Sequence, residues 1–209
     1  MFIKKKNVYQ RLPDTRDPNQ PPESPYSIEL TQDPPQPAAV LMPFLCTEEG
    51  WHLLFIRRTL HPKDRHGGQV AFPGGRCDPD DPDAVKAALR EAHEEVGLAP
   101  EDVRILGRLR DMMTITNYRV NLIVGAIPWP YDVRPQPDEV SRIFTIPLEW
   151  LADPANREIH RRQFQHQGEP FPVIHFQPYD GEILWGASAR MTMLLLEALG
   201  LSKPEYRYK

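Results

Sequence analysis

Glu91, Glu94 and Glu95 fall within the segment Arg90-Glu91-Ala92-His93-Glu94-Glu95, and on an α-helix their i, i+3, i+4 spacing sets all three carboxylates on one face. Like charges that close repel one another, which lowers helix stability and raises at least one carboxyl pKa, so the pattern calls for a compensating cation. Mg²⁺ or Mn²⁺ meets that need. Hard divalent ions take carboxylate oxygens and keep positions open for water and phosphate. Without a metal, the same residues form a solvated acidic face in which Arg90 is the i to i+4 partner of Glu94.

The flanking residues say how those carboxylates are held. Val85, Ala88, Leu89, Ala92 and Val96 make an apolar arc beside the carboxylate face, while Ala84 and Ala87 fall on that face and leave room for a ligand. Asp81 and Pro82 read as N-cap and first-turn proline, and Gly97 as the left-handed residue that stops the helix, which predicts a helix over 82–96. It is entered from the glycine-rich loop Phe72-Pro73-Gly74-Gly75. A backbone carbonyl of Gly74 or Gly75, with Gly75 favoured, is a further metal ligand, since glycine lets the chain approach closely.

The segment resembles the Nudix hydrolase box, G-x5-E-x7-R-E-U-x-E-E-x-G-U with U aliphatic; Arg90-Glu91-Ala92-His93-Glu94-Glu95-Val96-Gly97-Leu98 is similar to its second half. Counting from Gly75, the first glutamate slot falls on Asp81, and the gap to Arg90 is one residue longer than the general pattern. That longer gap behind Phe72-Pro73-Gly74-Gly75 resembles the coenzyme A pyrophosphatase branch. Leu53 to Arg58 and Gly68 to Gly75 match that branch in part, with Phe55, Arg58 and Asp64 departing from it. Leu184-Trp185-Gly186-Ala187-Ser188-Ala189-Arg190 is similar to the stretch that opens the branch's last helix. The resemblance runs from about Ala38 to Leu199. It implies that Glu91, Glu94 and Glu95 hold Mg²⁺ or Mn²⁺, and that the fold is the Nudix α/β/α sandwich.

Diphosphate cleavage requires neutralised oxygens and a water aimed at phosphorus. Glu91 and Glu95 are assigned as direct ligands, Glu94 as third ligand or water orienter, and Arg90 as the residue that orients the carboxylates. Glu94 and Glu139 are both candidates for the general base, with Glu94 preferred. A local excess of cations between 57 and 76 supplies phosphate partners, and Arg57, Arg58, Arg65 and Arg76 are the candidates because a guanidinium forks onto phosphate oxygens. His61, His66 and His93 lack the spacing of a zinc site. Tyr118, Trp129, Tyr131 and Trp185 could stack on a base, although Trp185 reads better as packing.

The 209 residues, 40% hydrophobic, provide one core of ordinary domain size. A net charge of -4 gives no general attraction to nucleic acid or anionic membrane, and no apolar run approaches the roughly 20 residues of a membrane span. The expected location is the cytoplasm, with Cys46 and Cys77 reduced. Residues 1–37, rich in proline, read as an arm: either a flexible tail or a strap over its own domain or a neighbouring subunit, which would make a homodimer. Residues 38–202 form the domain and 203–209 a tail. Strands are expected over 38–46, 51–58, 69–72, 104–110, 120–127 and 141–146, then a short helix from 147. A hairpin turning near Gly168 and a closing helix over 187–199 complete the chain. Mixed strands with few helices argue an α+β sandwich with helices on either side of a curved mixed sheet.

The expected activity is metal-dependent hydrolysis of a nucleoside diphosphate-linked small molecule. Coenzyme A or a derivative, cleaved to adenosine 3′,5′-bisphosphate and 4′-phosphopantetheine, is preferred. ADP-ribose, NADH or a dinucleoside polyphosphate is the alternative, and a non-catalytic nucleotide sensor the second.

Overall fold

The computed structural model describes residues 21–24, 33–61, 66–163 and 170–203. The apolar run that begins at Ala38 forms the centre of a seven-stranded sheet. Strand β1 (Gln36–Cys46) pairs in parallel with β6 (Tyr118–Ala126) along one side. Along its other side it pairs antiparallel with both β2 (Trp51–Arg58) and β4 (Gly74–Arg76). β2 also carries β3 (Val70–Ala71) and β7 (Val140–Pro147), and β5 (Arg104–Met113) closes the β6 edge. The sheet is therefore mixed. Register shifts at Arg57/Arg58, Ile105/Gly107 and Leu109/Met112 bend and twist it.

Alternation along β2 assigns its side chains to two cores. Trp51, Leu53 and Phe55 join one core with α2 (Leu148–Ala152), α3 (Gly186–Ala198) and β9 (Phe171–Phe176), which pairs with β8 (Arg157–Arg162). Leu54 and Ile56 join the other, where α1 (Ala84–Val96) packs Ala87, Ala88, Leu89, Ala92 and Val96 onto the sheet. The result is the α+β sandwich expected from the sequence. No helix among the described residues is long and apolar enough to cross a membrane.

Three local expectations change. The segment Gly74–Arg76 is a strand rather than a loop, because its backbone completes the ladder of Ala38, Ala39 and Val40. α1 starts at Ala84, two residues later than expected. Its N-cap is Asp83, whose Oδ1 accepts the N–H groups of Val85 and Lys86 at 2.7 and 3.0 Å. Asp81 is left for other work. Gly97 ends the helix as expected, at φ 72°, with its N–H on the His93 carbonyl.

β1 begins at Gln36, so the last residues of the proline-rich segment belong to the sheet. Within that segment, Glu23 forms a parallel bridge to Met112 on the edge of β5. Its N–H donates to the Asp111 carbonyl, and its carbonyl accepts from Met113, both at 2.7 Å. Residues 1–20 and 25–32 of the arm, the hairpin tip at 164–169 and residues 204–209 of the tail lie outside the described residues.

Candidate active site

Apolar neighbours on α1 carry one carboxylate inward with them. Glu95 sits one position before Val96 on the packing face, and its side chain is 1% exposed. The sequence places it beside the apolar arc; the structure places it within the buried surface. Its Oε2 accepts the N–H of Gly74 at 2.9 Å, and its Oε1 lies 3.8 Å from Nη1 of Arg58. Burial, reinforced by the charges of Glu91 and Glu139, pushes its carboxyl up to about 8. Glu91 is raised for the same first reason. Repulsion among the glutamates contributes, but loss of water is the larger cause.

The strand that precedes α1 brings its glycines to these carboxylates. Phe72 stacks on Phe55 with ring centroids 4.6 Å apart, and the Pro73 carbonyl accepts the Leu41 N–H, so the chain enters β4 in a fixed position. A Cβ on Gly75 would lie 2.6 Å from Cδ of Glu91, and one on Gly74 would lie 2.5 Å from the Ala39 carbonyl oxygen. At Gly74 only glycine fits, because the clash is with backbone; at Gly75 a side chain would have to push the end of Glu91 aside.

Arg90 joins the helix to the loop before it. Its Nε and Nη2 bind the two oxygens of Asp81 at 3.1 and 3.0 Å, and Nη2 also donates to the Arg76 carbonyl at 3.1 Å. Nη1 binds Glu91 at 2.8 Å and Glu94 at 3.0 Å. Asp81, taken from the sequence as a cap, is thus the fork's main anchor, and the guanidinium holds its carboxyl below the usual range. The proton on Arg90 is held more firmly than usual by the same contacts.

Glu94 is half exposed, and its Oε2 rests on Arg90. Glu139 is exposed in the turn before β7 and is close enough to raise both Glu91 and Glu95. Among the described residues no group of three or more His, Cys, Asp or Glu side chains is placed to hold an ion as it stands. Glu91 and Glu94 are drawn to Arg90, and Glu95 to Gly74. The donors nevertheless fit Mg²⁺ or Mn²⁺ by type: a half-buried and a buried carboxylate, Glu91 and Glu95, lie against the Gly74–Gly75 backbone where water has been removed.

The phosphate candidates divide. Arg58 faces Glu95, whereas Arg57, its neighbour in the strand, faces the opposite core and lies 3.4 Å from Glu182. Glu182 also takes Nη1 of Arg142 at 3.0 Å, a buried acid with two arginines that no motif in the sequence marked. Arg76 is exposed, with Nε on the Tyr118 hydroxyl at 2.8 Å and its guanidinium 5.5 Å from that ring. Arg65 lies outside the described residues. Tyr131 binds Asp102 and the Ala99 N–H, a structural position. Cys77 is partly buried, which raises its thiol pKa.

Of the four aromatic candidates, Trp185 borders a ligand-sized space. It stacks on His175 and helps line a cavity of about 410 Å³ together with Met112, Ile115, Phe171 and Ser188. Its wall includes the start of α3, where the Trp185-Gly186-Ala187-Ser188 stretch lies.

The NUDIX domain family profile matches residues 35–167. The Nudix hydrolase NudL of Yersinia pestis strain Pestoides F, itself uncharacterized, is 35% identical over 167 residues, covering 78% of this chain and 80% of that protein. Among solved structures, an Ap4A hydrolase binary complex from C. elegans is similar over 54% of this chain and 80% of its own, with 22% identity and a TM-score of 0.47. A MutT/nudix family protein from Enterococcus faecalis is similar over 96% of this chain and 81% of its own, with 15% identity and a TM-score of 0.48.

Proposed function

The chain belongs to the Nudix hydrolase family and acts on nucleoside diphosphate-linked substrates, and on that premise we propose that its substrate is coenzyme A or a derivative, cleaved to adenosine 3′,5′-bisphosphate and 4′-phosphopantetheine. The observation that carries hydrolysis is the buried Glu95 carboxylate beside Glu91 and the Gly74–Gly75 backbone. Support for coenzyme A comes from the Phe72-Pro73-Gly74-Gly75 entry into the helix and from the Leu184–Arg190 stretch, both of which resemble the coenzyme A pyrophosphatase branch.

Glu91 and Glu95, with Glu94 and a Gly75 carbonyl, would hold Mg²⁺ or Mn²⁺, which when bound neutralises the diphosphate oxygens and lowers the pKa of attacking water. Arg90 keeps the carboxylates in place through Asp81. Arg58, on the same side of the sheet as Glu95, is the arginine we assign to a phosphate oxygen. Glu139 is the better general base, because Arg90 already engages the Glu94 carboxylate. As the new bond from water to phosphorus forms, Glu139 takes a water proton and the bridging P–O bond breaks.

A substrate panel tests the reading. Coenzyme A, 3′-dephospho-coenzyme A, ADP-ribose and NADH are compared with Mg²⁺ and Mn²⁺ by product mass, and coenzyme A is expected to have the highest kcat/KM. The engagement of Arg57 by Glu182 and of Arg76 by Tyr118 favours a second reading, a substrate without the 3′-phosphate. A higher kcat/KM for ADP-ribose or the 3′-dephospho form would put that reading in place of the first.

A further inference from the structure

Glu139, assigned above as the general base, is exposed, and its carboxylate makes no hydrogen bond or ion pair among the described residues. Its charge nevertheless acts on both Glu91 and Glu95. With no partner for the side chain, its place beside those carboxylates is set by the backbone that carries it.

That backbone is fastened on two sides. Toward α1, the Gln136 N–H donates to the Glu95 carbonyl at 2.9 Å and the Arg134 N–H to the Val96 carbonyl at 3.0 Å, so the loop takes up carbonyls that the end of the helix leaves open. Gln136 then closes the turn. Its carbonyl accepts the N–H groups of Glu139 and Val140 at 3.0 and 2.7 Å, and its Oε1 accepts that of Asp138 at 3.0 Å. Toward the sheet, Thr59, the residue after β2, holds the other limb: its N–H donates to the Glu139 carbonyl at 2.8 Å and its Oγ1 to the Pro137 carbonyl at 2.9 Å.

The strand pairing beside the turn is irregular. Arg57 pairs with Arg142 but Arg58 with Val140, so Ser141 is the extra residue of a bulge, and its Oγ donates to the Arg57 carbonyl at 3.1 Å. A bulge bends its strand and re-aims the adjoining chain, here the turn that carries Glu139. The end of β2 therefore reaches Glu95 through Arg58 and the Glu139 turn through Thr59.

We propose that Thr59 is a positioning residue for the reaction: its N–H and hydroxyl pin the Gln136–Glu139 turn to the end of β2 and so hold Glu139 at the carboxylate site. Precision matters there, because a misplacement of about 1 Å costs on the order of a hundredfold in rate. The catalytic purpose of the clamp rests on the general base assigned under the proposed function. The clamp itself does not.

Amide hydrogen exchange and kinetics read the two parts separately. Thr59→Val keeps the shape of the side chain, removes the hydroxyl and leaves the Pro137 carbonyl to water, so the melting temperature should hardly change. The N–H groups of Glu139 and Val140 should then exchange about fivefold faster or more, while those of α1 keep their wild-type rates. With saturating Mg²⁺ and the best substrate of the panel, kcat should fall about tenfold with KM within about twofold, and Thr59→Ser, which restores the hydroxyl, should return both exchange and kcat toward wild type. In a Glu139→Gln background, itself slowed about a hundredfold, Thr59→Val should cost nothing further, since the group it positions is gone. Unchanged exchange in Thr59→Val would overturn the clamp, and faster exchange with wild-type kcat would overturn its role in the reaction. A further tenfold loss in the Glu139→Gln background would mean that Thr59 acts through another residue, which overturns the proposal too. Wild-type kcat in Glu139→Gln beside faster exchange in Thr59→Val would remove the general base, and with it the catalytic role of Thr59, while the clamp stands. Should Thr59→Val not fold, Thr59→Ala is read in the same way.

Discussion

The backbone N–H of Gly74 donates to Oε2 of Glu95 at 2.9 Å, tying β4 to the buried side of α1 across 21 positions of sequence. This bond favours the charged carboxylate, but burial outweighs it and holds the group protonated at neutral pH in the metal-free protein. A cation held by Glu95, as proposed, would compete with the proton for the same oxygen pair.

Stability should follow that competition. A carboxyl raised from 4.5 to about 8 binds a proton more readily in the folded chain than in the unfolded one, so its contribution is complete below about pH 4.5 and lost as pH rises to about 8. Metal-free protein should melt at falling temperature across that window, and saturating Mg²⁺ should raise the melting point more at pH 8 than at pH 6. Glu95→Gln should flatten the slope. An unchanged slope in that variant would remove Glu95 as its source. Asp81 acts with the opposite sign, since its lowered pKa withdraws stability only as pH falls below about 4.

Metal response should test Glu91 and Glu95 as ligands. Glu91→Gln and Glu95→Gln should abolish most of the Mg²⁺ or Mn²⁺ melting shift and reduce turnover at least about a hundredfold, while both proteins remain folded. For Glu95 the change is not one of surface charge. Substitution relieves a buried carboxyl and should leave the metal-free protein as stable as wild type, or more so, at pH 8. Equal metal shifts in wild type and both variants would place the ion elsewhere.

The two glycines should respond differently to alanine. At Gly75 the new methyl meets only the far end of the Glu91 side chain, so Gly75→Ala should fold within about 1 kcal/mol of wild type but displace a ligand and lose activity about tenfold or more. At Gly74 it meets the backbone of Ala39 and Val40 in the central strand, at a φ of 156°, so Gly74→Ala should cost about 1 to 3 kcal/mol or more. Denaturant unfolding and turnover on both variants check this. A Gly75→Ala enzyme with wild-type metal affinity would show that Glu91 binds from another direction.

Much of this was legible in advance because periodicity survives in sequence. The helix, its Gly97 stop, the long strands and the closing helix all follow from apolar spacing and turn residues. What escaped depends on pairing across the sheet. Gly74–Arg76 carries no strand signal of its own and becomes β4 only because Ala38–Val40 lies beside it. Arg57, which matches the family signature where Arg58 departs from it, is the better phosphate candidate by sequence, yet strand alternation sends Arg57 to Glu182 and Arg58 to Glu95. Proline content marked the arm, but nothing in its composition distinguished Glu23, whose partner Arg190 is 167 residues away. Asp81 was found but misread, because an aspartate beside Pro82 satisfies the capping pattern that Asp83 fulfils.

That last correction gives Arg90 and Asp81 a measurable role. The guanidinium fork grips both oxygens of Asp81 while its third nitrogen holds Glu91 and Glu94, so loop and carboxylates are aligned through one side chain. Arg90→Lys keeps the charge but cannot span both contacts. It should weaken metal affinity and kcat about ten- to a hundredfold, a larger effect than its loss of stability explains. Asp81→Asn leaves the fork without its charged anchor and should move metal affinity in the same direction. If the two residues act as one unit, the double variant should be hardly worse than Arg90→Lys alone. Metal titrations on the four proteins of that cycle decide it: fully additive losses would mean that Asp81 holds the loop without orienting Glu91, and that Arg90 does so unaided.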